Sequence, residues 1–177
     1  MAGSLIKIDE EIVTSAVASV TLTGIDSTYD VYMVKYNNVE TDFDYSNLLI
    51  RFTKDVSGTP TPQTTANYDY ASKNLRSYTS FANESATNLT LAYINSSTAT
   101  GTGTGETTQT ILYLFNFNNS SEYSFLTKEQ VTVDLDARLI GGQGGAVYTV
   151  AEAHNGIHFF PDAGNIASGT FTLYKVV

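Results

Sequence analysis

Apolar and polar residues alternate along most of the chain. Residues 12–23 place Ala16, Ala18, Val20 and Leu22 on one side and Ser15, Ser19, Thr21 and Thr23 mostly on the other, a two-residue period that belongs to strands and not to helices. Residues 29–36 set Tyr32, Val34 and Tyr36 against Val31, Met33 and Lys35. Both of those sides are apolar or amphipathic, which predicts a strand in the middle of its sheet. Residues 47–54 alternate in the same way, and further strands are predicted over 67–82, 87–94, 108–117, 131–139, 146–153 and 157–160. The chain ends on residues 170–177, with Phe171 and Leu173 on one face and Thr170, Thr172 and Tyr174 on the other. A half-buried strand that seals the fold is expected there.

Turn signals punctuate these segments. Residues 24–28 and the Asn37-Asn38 pair read as turns, and residues 55–66 as a loop, because Pro60 and Pro62 would interrupt a ladder. Residues 95–107, with Gly101, Gly103 and Gly105, predict a long exposed loop, and residues 141–145 a hairpin tip. Helical patterning is confined to residues 124–130, where residues 127–130 could form one turn, and to residues 70–76. Neither could cover a sheet. The pattern predicts an all-β chain, a single antiparallel β-sandwich of about nine or ten strands, jelly-roll-like, with an immunoglobulin-like sandwich as the alternative. Residues 1–11 form an N-terminal arm and residues 12–177 the sandwich domain.

Composition narrows the function classes. The 177 residues are 42% hydrophobic and only 15% charged, and the polar positions are filled largely by Ser, Thr and Asn. Nine basic residues against eighteen acids give a net charge of −9, which argues against nucleic-acid binding through phosphate neutralisation. There is no cysteine, hence no disulfide, thiolate metal site or cysteine nucleophile. No apolar run approaches the roughly 20 residues that span a bilayer, so no membrane partner is expected. The N-terminus does not have the pattern of a secretory signal, which predicts folding in a cytoplasm and leaves the sequons at Asn83, Asn88, Asn95 and Asn119 unmodified.

Reactive residues are sparse. His154 and His158 are the only histidines; on one strand they would lie roughly 13 Å apart, too far to share a metal, so one partly buried and one exposed imidazole are expected. Acids cluster at Glu40, Asp42 and Asp44, at Asp26 and Asp30, and at Asp134 and Asp136. The last pair is expected on the solvent face of a strand, with calcium the less favoured reading because no glycine-bearing calcium loop follows. No Gly-x-Ser-x-Gly elbow occurs, and the glycine alternation at 101–105 lacks the lysine of a phosphate loop. No catalytic, cofactor-binding or metal-binding residue is assigned. Twelve tyrosines and nine phenylalanines without tryptophan favour protein contact over sugar binding, with Tyr68, Tyr70, Tyr78 and Phe81 the candidate partner-binding aromatics.

Three segments carry a resemblance: residues 21–32, which read TLTGIDSTYDVY, residues 67–70, NYDY, and residues 164–174, GNIASGTFTLY. They are similar to small β-sandwich virion structural proteins of tailed bacteriophages of marine and cyanobacterial hosts, over most of the chain. The resemblance implies a non-enzymatic virion protein without cofactor, made in the host cytoplasm, and covers both head decoration proteins and tail-fibre components. The chain has no heptads, internal repeat or collagen-like period to build a shaft, which favours a capsid decoration or cement protein. Such a protein would act as a small homo-oligomer bound to the major capsid protein or other virion proteins. The alternative is a receptor-recognition module binding host glycans through loops such as residues 95–107. The N-terminal arm, apolar at Leu5, Ile6 and Ile8, is the segment expected to reach a neighbour.

Overall fold

Period-two patterning without intervening helices leaves each segment one apolar face to bury, and two sheets closing on each other bury both. The computed structural model describes residues 4–95 and 100–177. Within them lie thirteen strands and no helix. The strands are β1 (Leu5–Val13), β2 (Val20–Thr23), β3 (Val31–Thr41), β4 (Leu48–Val56), β5 (Thr59–Pro62), β6 (Tyr68–Arg76) and β7 (Ala82–Leu89). They continue as β8 (Ala92–Tyr93), β9 (Thr108–Phe115), β10 (Ser124–Val133), β11 (Leu139–Tyr148), β12 (Gly156–Pro161) and β13 (Ile166–Val176).

One sheet has eight strands in the order β1-β13-β3-β9-β10-β11-β6-β7; the other has five, in the order β2-β12-β4-β5 with β8 also paired to β4. In chain order, β1, β2, β3, β4, β8, β9, β12 and β13 alternate between the sheets except at the β4/β8 pair. Their sheet orders, β1-β13-β3-β9 and β2-β12-β4-β8, are those of a jelly roll. The remaining strands are additions: β10, β11, β6 and β7 widen the first sheet, and β5 extends the second. The expected sandwich is therefore present, with more strands than the nine or ten expected.

Between the sheets, Leu22, Ile50, Phe52, Ile157 and Phe159 of the smaller one pack with Val34, Tyr36, Leu112, Leu114, Phe171 and Leu173 of the larger. Phe171 sits 5.6 Å from the Tyr36 ring and 5.2 Å from that of Phe159. Each such fully buried side chain contributes roughly 1.5–3 kcal/mol. At one end of β6, β9 and β10 the inward positions turn polar, with Ser72, Asn74, Thr110, Lys128 and Gln130 all buried. The segment at β8 lies against β6, and the Lys128 ammonium donates to the Ile94 carbonyl at 2.5 Å. Burial pushes that lysine down to about 8.

Several expected boundaries move. Residues 12–23 do not form one strand: β1 ends at Val13 and β2 begins at Val20, on the other sheet. The arm of residues 1–11 is not free, because its described part is β1, laddered to β13 from Leu5↔Val176 to Val13↔Gly169. Ile8 packs against the core while Leu5 and Ile6 remain exposed. Ala2 and Gly3 lie outside the described residues, as do residues 96–99 of the expected loop. The helical patterns over 70–76 and 124–130 are strands β6 and β10, since neighbours on both sides supply ladder partners that local propensity does not register.

Residues 59–62 pair with β4 as an edge strand, the position in a sheet where prolines are tolerated. Glycines 141, 142, 144 and 145 lie within β11, and the hairpin tip is at residues 134–138. The glycines serve close approach instead: a Cβ on Gly144 would lie 2.3 Å from the Ala71 carbonyl oxygen on β6.

Candidate functional site

The chemically most suggestive cluster joins residues far apart in the chain. Ser124 opens β10, and His154 and Glu152 lie on the connection between β11 and β12. The Ser124 hydroxyl is 2.8 Å from His154 Nδ1, and His154 Nε2 is 3.6 Å from Glu152 Oε1. The other Glu152 oxygen accepts from the Lys54 ammonium at 2.6 Å. The carboxylate favours the hydrogen on Nε2, leaving Nδ1 to accept from Ser124. A serine, a histidine and an acid thus stand in a row, as a hydrolase would need.

Burial decides what this row can do. Ser124 and His154 are both 0% exposed, and the imidazole is enclosed by the rings of Tyr148 at 4.9 Å, Phe52 at 5.3 Å and Phe117 at 6.0 Å. A substrate carbonyl cannot reach the serine oxygen in this packing. Burial pushes the imidazole down to about 4; Glu152 raises and Lys54 lowers it by smaller amounts. At neutral pH it is an uncharged ring that satisfies a buried hydroxyl and closes an aromatic cage.

His158, on β12, is half-buried, and its Nδ1 lies 2.7 Å from the Thr21 hydroxyl on β2. Burial, with a smaller contribution from Arg51, lowers its pKa. The expected pairing of one partly buried and one exposed imidazole is thus revised to one fully buried and one half-buried. Both were underestimated because each sits between strands that are distant in sequence.

The acids hold loops together. The Asp42 carboxylate accepts from the Asn165 backbone N–H at 2.6 Å and its amide at 2.9 Å, which lowers the Asp42 pKa. Asp162 accepts from the Asn47 N–H and its amide, each at 2.8 Å, and Asp44 from the Thr102 N–H at 2.8 Å and its hydroxyl. Asp134 is not on a solvent-facing strand. It is buried in the turn at residues 134–138, where its carboxylate accepts two N–H bonds from the Arg138 guanidinium, at 3.1 and 3.0 Å. It also accepts the backbone N–H groups of Asp136 and Arg138, each at 3.0 Å. Among the described residues no group of three or more His, Asp or Glu is placed to hold a metal.

The four candidate aromatics separate. Tyr68 is a core residue, 0% exposed, whose hydroxyl accepts from the Phe52 N–H at 2.8 Å and donates to the Gln63 carbonyl; it cannot meet a partner in the folded chain. Tyr70 is half-buried against Tyr93, with ring centroids 5.5 Å apart. Tyr78 and Phe81 are exposed, under the cations of Arg138 at 3.9 Å and Lys73 at 4.7 Å.

Strand alternation places a wider apolar surface beside them, on the outer face of the eight-stranded sheet. Ile111, Tyr113, Phe125 and Val131 are 37–44% exposed there. Shallow depressions of about 310 Å³ beside Ile111 and Val131, 470 Å³ beside Phe125 and Val147, and 310 Å³ beside Leu75, Phe81 and Leu139 mark the same face. The signal for it was present in sequence as strands apolar on both faces, but that pattern also describes a buried central strand. No protein-family model matches the chain, and a search among curated proteins finds no similar sequence.

Proposed function

We propose that the protein is a non-enzymatic structural component of a tailed-phage virion, a decoration protein that binds the outer surface of the assembled head and stabilises it. The observation that carries the contact part of this reading is the outer face of the eight-stranded sheet, where Ile111, Tyr113, Phe125, Val131 and Leu139 stand exposed on a broad surface. Exposed apolar surface of that breadth is a feature of interfaces. The virion part rests on the resemblance of residues 21–32, 67–70 and 164–174 to phage sandwich proteins. The cross-linked loops suit a particle surface: aspartates staple residues far apart in the chain, as Asp42 does Asn165 and Asp162 does Asn47.

The test is to add the purified chain to phage heads that lack it, and to count copies per particle by quantitative mass spectrometry. Copies in proportion to capsomers, together with heads that retain DNA at a higher temperature, are the expected result. A few copies per particle, located at the tail, would replace decoration with the receptor-recognition reading. No particle-associated copies would end the virion assignment.

A further inference from the structure

Four charges in one row across the outer face of the eight-stranded sheet follow a symmetry that the fold itself does not require. Ile111 lies on β9, fourth of the eight strands. In the row of side chains through Ile111, Lys35 on β3 stands one strand to one side and Glu129 on β10 one strand to the other. Continuing along the row, past Thr172 and Gln143, Glu10 on β1 stands three strands from β9 on the side of Lys35, and Lys73 on β6 three strands from β9 on the side of Glu129. The row therefore reads acid, base, apolar centre, acid, base, with opposite charges at equal distances from β9. Lys35 and Glu129 have no ion-pair partner within the chain among the described residues; Glu10 is paired to Lys7 at its margin.

We propose that this face binds a second copy of the same chain, face to face, about a twofold axis running along β9. Such an axis exchanges the two sides of the sheet. It sets Lys35 against the second copy's Glu129 and Glu10 against its Lys73, each twice, with Ile111 meeting its own copy at the centre. Two exchanges in the neighbouring rows agree. One row toward the start of β3, Tyr174 on β13 is exchanged with Gly145 on β11, a large ring against a position without a side chain. On the other side of the charged row, Ile12 on β1 is exchanged with Leu75 on β6, both exposed in the single chain.

The size suffices. Eight strands about 4.8 Å apart and roughly nine residues long make a face on the order of 1,000 Å², against the roughly 800 Å² per partner of a standard interface. The axis keeps the strands of the two copies nearly aligned, the commoner way for sheets to stack. This inference rests on that face being a protein-contact surface and not on the virion; with the face covered by the second copy, it is the dimer's remaining surface that would meet a head.

Sedimentation equilibrium of the full chain reads the outcome directly. A dimer is expected in the micromolar range or tighter. Lys35→Glu and Glu129→Lys, each alone, face like charges across the axis twice and should weaken the dimer at least about tenfold. The double variant restores opposite charges and should recover the wild-type dimer. Both positions are solvent-exposed in the single chain, and circular dichroism of each variant checks that the sandwich is intact. A monomer at about 100 µM, a trimer, or a double variant as weak as the singles would overturn the proposal. Head binding is scored separately: heads bound by a monomeric chain refute this dimer alone, and a dimer that ignores heads refutes the virion assignment alone.

Discussion

His154 should make the protein acid-sensitive by an amount that can be worked from its burial. Burial pushes the folded imidazole down to about 4, against the ordinary imidazole value of 6.5. The unfolded chain therefore binds a proton between those values that the folded chain refuses, and stability falls as the pH drops through 6.5 toward 4. Near pH 5 the loss for this one group is about 2 kcal/mol, with a limit of about 3.4 kcal/mol once both states are protonated. Urea unfolding, followed by far-UV circular dichroism or tyrosine fluorescence, gives stability at about pH 8 and about pH 5. The comparison is with His154→Gln, which keeps a polar partner for Ser124 but does not titrate. Carboxylates and His158 are common to both proteins and cancel. Wild type should lose about 2 kcal/mol more than the variant over this interval. Equal losses, or a proton-resonance titration of His154 near the ordinary imidazole value, would show that the ring is not desolvated as the cage of Phe52, Phe117 and Tyr148 requires.

Three further expectations concern the frame. Phe171→Ala should destabilise the chain by about 3–5 kcal/mol, read by thermal or urea unfolding, because the ring is fully buried between Tyr36 and Phe159; a parental melting curve would place the closing strand outside the core. Gly144→Ala should lower the melting temperature, since its Cβ would meet backbone of β6, whereas Gly141→Ala, whose Cβ would sit 3.6 Å from Leu75, should be neutral or slightly stabilising. The opposite order would contradict the strand approach. Asp134→Ala leaves the backbone N–H groups of Asp136 and Arg138 without their acceptor and the Arg138 guanidinium with Asp136 alone, and should cost about 1.5–3 kcal/mol, with faster amide exchange at residues 134–138 as its local signature.

Much of the frame was legible in sequence, because alternation is a local property of a half-buried strand. Residues 29–36, 108–117 and 170–177 could be placed on strands from side-chain order alone, and their inward residues Tyr36, Leu112 and Phe171 are core. The misreadings share one cause. The glycines at 141–145 are chain-flexible on their own and signal a turn, but the neighbouring β6 backbone needs the space a side chain would occupy at Gly144. Asp134 in an alternating segment looks solvated until Arg138 folds back onto it. Tyr68 looks as available as Phe81 until β4 supplies a backbone N–H to its hydroxyl.

The site is divided in the same way. Ser124, His154 and Glu152 could not be joined in sequence, because about thirty residues, carrying β10 and β11, separate the serine from the other two. Nor could the row through Ile111 be read, since Lys35, Glu129, Lys73 and Glu10 acquire their order only from strand register. By itself the sequence determined an all-β, acidic, cysteine-free chain closed by its last strand, since composition and period-two alternation act over a few neighbouring residues. Tertiary structure alone decided which imidazole is buried, which aromatics are exposed and how the charges are arrayed, because burial and cross-strand order depend on segments that meet only when the sheets form.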